Sequence, residues 1–187
     1  MAILSEEKIF STAEAIILSK GINKTTLLDI AKRLGVTHAA LYKHFKNKED
    51  LLQKLALKWL ENTSRPLLEW SPKEHEDAET ALHDWLWLLN LTKRDLYINH
   101  QKMFLLYTNY IETNSSLVSN HLNHLAKKVE EISGWENQGM AVMTAFTYFH
   151  NPYFAERWSN SDHQALFEQV WSVVCKSIQC IRHVQAK

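Results

Sequence analysis

Four glycines and three prolines are all the backbone punctuation that this 187-residue chain carries. Average chains hold about 7% Gly and 5% Pro. A β-rich fold of this length turns back on itself many times, and tight turns draw on Gly for positive φ and on Pro for a fixed φ. The scarcity of both therefore predicts an all-α chain, and it argues against a Gly-rich phosphate loop. Apolar spacing agrees, because nearly every segment reads at the helical period.

The reading along the chain is a series of helices with recognisable ends. Ile9, Phe10, Ala13, Ile16, Ile17 and Leu18 supply the apolar side of a helix over Ser5–Lys20, which Gly21 closes. Thr26 with Asp29 forms a capping-box start for a helix carrying Leu27, Ile30, Ala31 and Leu34, and Gly35 breaks it. Thr37 caps a short helix over His38–Phe45, and Asn47 caps a fourth with Glu49 and Asp50 in its first turn. Pro66 and Pro72 mark a boundary over Ser64–Lys73. Further helices are expected near His75–Leu91, Asp95–Thr113, Ser115–Ser133, Trp135–Phe149 and Asp162–His183. All seven tryptophans lie beyond residue 50, so the two parts differ in composition.

With 45% hydrophobic and 22% charged residues, the composition is that of an ordinary globular protein. Two cysteines, Cys175 and Cys180, lie on well-separated sides of one helix and read as reduced packing residues. The N-terminus has no secretory pattern, and no apolar run is long enough to span a bilayer, so a cytoplasmic location with no membrane partner is expected. The 21 basic side chains balance 21 acids. That zero is an average, since Lys20–Lys48 holds seven bases and one acid. Such a window is a solvated face in many proteins and a nucleic-acid footprint in some.

The layout around that window chooses between them. Two short helices, Leu27–Leu34 and His38–Phe45, joined at Gly35-Val36-Thr37, read as helix-turn-helix. The second such helix enters the major groove of duplex DNA. Leu41 and Phe45 point toward the core, and His38, Ala39, Tyr42 and Lys43 lie on another arc, with Ala40 and His44 at its borders. Ala39 and Ala40 allow close approach to base edges and thymine methyls, and Tyr42, His44 and Lys48 reach toward phosphates. The run TTLLDIAKRLGVTHAALYKHFKNKEDLL resembles the signature of the tetracycline-repressor (TetR) family of bacterial regulators. The resemblance covers about the first 60 residues. It implies a three-helix DNA-binding head over residues 1–46, joined by a fourth helix to a helical ligand-binding and dimerisation body over 47–187. It also implies phosphate contacts at Tyr42 and Lys48, polar helix starts at Thr26 and Thr37, and a base-reading position at His38.

In the body, an inter-helix pocket is expected from Trp85, His100, Met103, Phe104, Tyr107, Met143 and Phe146, suited to an apolar or aromatic small molecule. No basic cluster is evident there to hold a strongly anionic one. His121 and His124 share a helix face, but no Cys or acidic partner stands at ligand spacing, so neither a metal site nor a cofactor is expected. No nucleophile motif selects an enzyme site. The dimer face implied by the resemblance includes Ala141, Val142, Ala145, Phe149, Leu166, Val170, Val173, Val174 and Ile181. The functional expectation is a ligand-responsive repressor that binds a palindromic operator as a homodimer. The alternative is a DNA-binding protein of the same fold whose body takes a protein partner.

Overall fold

A computed structural model describes residues 4–185, with side chains to Gln179. Among these residues there are helices and no strands. The helices are α1 (Glu6–Lys20), α2 (Leu27–Leu34), α3 (His38–Leu41), α4 (Lys48–Leu68), α5 (Ala78–Asn99), α6 (Gln101–Tyr110), α7 (Ser115–Ser133), α8 (Gly139–Ala145), α9 (Thr147–His150) and α10 (His163–Gln185). A 3-10 helix over Pro152–Ser159 precedes α10.

The N-terminal ends are fixed by the residues that the sequence singled out. Ser5 Oγ accepts from Lys8 N at 3.3 Å and begins α1. Thr26 and Asp29 form a complete capping box at the start of α2. Gly35 closes α2 at φ 67°, a left-handed conformation that a side chain disfavours. Thr37 Oγ1 accepts from Ala40 N at 3.3 Å and starts α3.

Three expectations need correction. The third helix stops at Leu41, and Tyr42–His44 form a turn, because the chain must bury Phe45 and reverse into α4. Pro66 does not end α4, which runs two residues past it to Leu68. The segment Trp135–Phe149 is not one helix: Asn137 has φ 61°, α8 begins only at Gly139, and the backbone breaks again at Phe146.

The described chain forms two compact units. One takes residues up to Thr63 together with Asn99–Ser115, and the other takes Ser64–Ile98 and the chain from Ser116 on. The division between the units falls within α4, and α6 belongs to the first. That unit buries Ile9, Phe10, Ile17, Ile30, Leu41, Phe45, Leu51 and Leu52. The second unit has an aromatic core in which Phe167 packs edge to face on Phe146 and Phe149, and those two rings are tilted on each other, with ring centroids 5.2 to 5.7 Å apart. Trp85 is fully buried there, and its indole N–H donates to Leu67 O at 2.8 Å. Val142 and Phe149, expected on a dimer face, belong to this core, whereas Ala141, Ala145 and Val173 are exposed. Ile181 and Cys180 lie outside the described side chains. Cys175 is free and half-buried, and its thiol donates to Glu79.

Candidate nucleic-acid interface

The N-terminal unit holds α2 and α3 by their buried sides and leaves a polar surface between them and α4. Leu27, Ile30 and Ala31 anchor α2, and Leu41 with Phe45 anchors α3 and the turn after it. Thr37, His38, Ala39, Tyr42 and Lys43 are exposed, and Ala40 and His44 are half-buried. The expected outward arc is therefore the one that meets solvent. Tyr42 is 51% exposed, large for an aromatic ring, and stands edge-on to His38 with centroids 4.9 Å apart.

Two expected contact residues already have structural work. Thr26 Oγ1 accepts from Asp29 N at 3.1 Å, and its hydroxyl donates to Asp29 Oδ2. Only its remaining lone pair is left for DNA. Lys48 begins α4 half-buried, with Nζ donating to Ile22 O at 3.1 Å. An ammonium has three donors, so this bond aims Lys48 and leaves donors over. The start of α4 also carries its own acceptors. Asn47 Oδ1 receives Asp50 N at 2.8 Å, and Asp50 Oδ2 receives Lys46 N at 2.9 Å.

The basic window is organised rather than uniform. Lys20 pairs with Asp29 at 2.6 Å, and hydrogen bonds from Lys20 and then Thr26 lower the Asp29 carboxyl to about 2. The one acid of the window is thus held as the anion that caps α2. Lys24, Lys32, Arg33, Lys43 and Lys46 remain exposed around the same motif.

The seven expected pocket residues divide between the two units. His100, Met103, Phe104 and Tyr107 lie in the first, where Tyr107 donates its hydroxyl to Glu112, and burial followed by the Glu112 charge raises its pKa. Trp85, Met143 and Phe146 are core of the second.

Comparison with known proteins settles the family. A model described as bacterial regulatory proteins, tetR family, matches residues 9–55. A second, described as tetracyclin repressor-like, C-terminal domain, matches residues 78–171, half of the chain. The chain belongs to the TetR family. Among TetR relatives, the HTH-type transcriptional regulator TtgR of Pseudomonas putida is 42% identical over 69 residues, 37% of this chain and 32% of that protein. The negative regulator of the biofilm operon icaADBC, IcaR, of Staphylococcus epidermidis is 26% identical over 122 residues, 64% of this chain and 62% of its own. The aligned part thus spans about a third of TtgR and under two thirds of IcaR. The fatty acid degradation regulator FadR of Bacillus halodurans shares the fold, with a TM-score of 0.58 at 18% identity over 92% of this chain and 95% of that one. The TetR family and these relatives are transcriptional regulators, not enzymes. No described helix is long and apolar enough to cross a membrane.

The second unit holds a feature that the sequence reading missed. Lys93 from α5, His121 and His124 from α7, and His150 from α9 bear on one another electrostatically. Burial first, then the Lys93, His150 and His124 charges, lower His121 to about 2. Burial and Lys93 lower His150 to about 4, against a hydrogen bond to Met143 O at 3.0 Å. A basic cluster thus exists in the body where none was expected. Lys93, His121 and His150 are 28 and 29 residues apart along the chain, so only the His121–His124 pair has a local spacing. The weak signal was the number of histidines on otherwise apolar helices.

Proposed function

We propose that this TetR-family regulator represses transcription by binding a palindromic operator as a homodimer, and that a small molecule held in the body releases it. The observation that carries the reading is the exposed face of α3 and the turn after it. His38, Ala39, Tyr42 and Lys43 stand in solvent while Leu41 and Phe45 fix the backbone beneath them. In this reading α3 lies in the major groove. His38, Ala39 and Ala40 face base edges, and Tyr42, Lys43, His44 and Lys48 meet phosphates, with Thr26 and Thr37 supporting from the helix starts. Two copies would read half-sites about 34–36 Å apart, or a multiple of that. The exposed Ala141, Ala145 and Val173 are the body positions left for a second copy.

Trp85, Met143 and Phe146 would shape the apolar wall of an effector site in the body, and His100, Met103, Phe104 and Tyr107 are the remaining candidates for ligand contact. The effector weakens operator binding by the usual coupling of about 1–3 kcal/mol, which is roughly 5–150-fold. Footprinting on DNA that flanks the gene tests the reading. A protected, two-fold symmetric tract is the expected result, and uniform weak binding to every fragment would refute it. Binding in the cytoplasm without a metal or cofactor completes the proposal.

A further inference from the structure

Tyr42, Lys43 and His44 lie in the turn between α3 and α4, outside either helix. Leu41 O accepts from His44 N at 2.9 Å and from Phe45 N at 3.0 Å, so both of its lone pairs are used. Phe45 fixes the turn from inside, 1% exposed and with its ring centroid 5.5 Å from that of Phe10. The other restraint comes from α4. Lys54 Nζ donates to His44 O at 3.4 Å, lies 5.0 Å from the centre of the Phe45 ring and pairs with Asp50 Oδ2 at 3.6 Å. The same Asp50 oxygen accepts from Lys46 N at 2.9 Å. Two charged side chains one helical turn apart thus hold the backbone on both sides of Phe45.

The pair contributes little to stability. The Lys54 side chain is 43% exposed and that of Asp50 23% exposed, and ion pairs at such a surface are weak. An aliphatic side chain at 54 would cover Phe45 as well. What the charges add is direction: a cation for the carbonyl of His44 and an anion for the N–H of Lys46. Direction matters in this turn because phosphate contacts set the register and orientation of a protein on a duplex. We propose that Lys54 and Asp50 are positioning residues for operator binding. They hold the Tyr42–Lys46 turn so that the Tyr42 hydroxyl meets its phosphate, and neither touches DNA. The proposal rests on the operator reading above, which places Tyr42 against a phosphate. Lys54 lies outside the basic window of Lys20–Lys48, so charge counting did not single it out.

The test uses the full chain, the duplex protected in footprinting and a scrambled duplex of the same length. Fluorescence anisotropy at one fixed salt concentration reads both affinities. Lys54→Met keeps the stem over Phe45 and removes the ammonium. It should lose about tenfold or more on the protected duplex and less than about threefold on the scrambled one. Lys54→Arg, which can still donate to His44 O and pair with Asp50, should stay within about threefold of the parent on both. Tyr42→Phe should cost about fivefold or more in the parent and less than about twofold beside Lys54→Met, because contacts that act through one another do not multiply. Lys54→Met alters a partly exposed side chain and should melt within a few degrees of the parent. Asp50→Ala, which frees Lys46 N and Lys54 together, should show the same selective loss. Unchanged affinity of Lys54→Met for the protected duplex would overturn the proposal. So would equal losses on the two duplexes, losses at Tyr42 and Lys54 that multiply, or a parent indifferent to Tyr42→Phe. A parent that prefers neither duplex refutes the operator reading, and the proposal falls with it. A selective parent with a silent Lys54→Met refutes the proposal alone.

Discussion

Acid should unfold this protein early, and His121 and His150 set the size of the effect. Both have folded pKa values well below the ordinary 6.5, at about 2 and about 4. The unfolded chain therefore binds protons at these positions more readily than the folded one. Their contribution to stability is present in full above the unfolded value and is lost as pH falls from there toward the folded values. At pH 5 the unfolded histidines are almost fully protonated and the folded ones are still neutral. Each site then costs about 2 kcal/mol relative to pH 7, or about 4 kcal/mol together. His163 is lowered by burial and adds in the same direction. His83 opposes them, because hydrogen bonds to Asp84 and Glu168 outweigh its burial and raise it.

Urea unfolding at pH 7 and pH 5 reads this directly. At a slope of about 2 kcal/mol per M, the midpoint should fall by roughly 2 M between the two pH values. His121→Leu should remove about half of that fall. At pH 7 the same variant should be as stable as the parent or more stable by about 1–3 kcal/mol, since it deletes a buried donor–acceptor that nothing satisfies. Identical pH sensitivity in parent and variant would refute the placement of His121 among buried bases.

Lys48→Ala should reduce the slope of log operator affinity against log salt by about one and weaken all DNA sequences alike, as read by fluorescence anisotropy across a salt series. Thr26→Ala removes the side-chain half of the capping box, leaving the backbone N–H of residue 26 to donate to Asp29, and should lower thermal stability by about 1 kcal/mol, measured by calorimetric melting. Gly139→Ala should be far worse than an ordinary surface change, because the added Cβ would stand 2.1 Å from Ala126 O and force α8 off α7; a loss of at least about 1–3 kcal/mol in urea unfolding is expected.

What was legible in the sequence is what local chemistry decides. The Thr26–Asp29 box, the left-handed Gly35 and the Thr37 cap each act over three or four residues, so composition and spacing fixed the helix starts and the turn between α2 and α3. The outward arc of His38, Ala39, Tyr42 and Lys43 followed from the helical period once Leu41 and Phe45 were assigned inward. Longer-range competition was not legible. Pro66 marked a boundary by propensity, yet α4 passes it and buries Leu67 beside Trp85. The exposed turn after Leu41 answers to the burial of Phe45 and the entry into α4, not to the preferences of its own residues. The body cluster was least legible, because Lys93, His121 and His150 come from three helices and bear on one another electrostatically only in the fold.

The zero net charge of the whole chain takes on a different meaning from these positions. In the N-terminal unit one acid serves the fold by capping α2 and holding Lys20, and exposed bases remain around the motif. In the second unit His121 and His150 are kept neutral by burial, so a formal count with neutral His describes them correctly. A core selected for stability alone would place an aliphatic residue at 121, since local rules are broken mainly where function requires it. His121→Leu should therefore remove about half of the instability measured at pH 5 and leave the share that His150 carries.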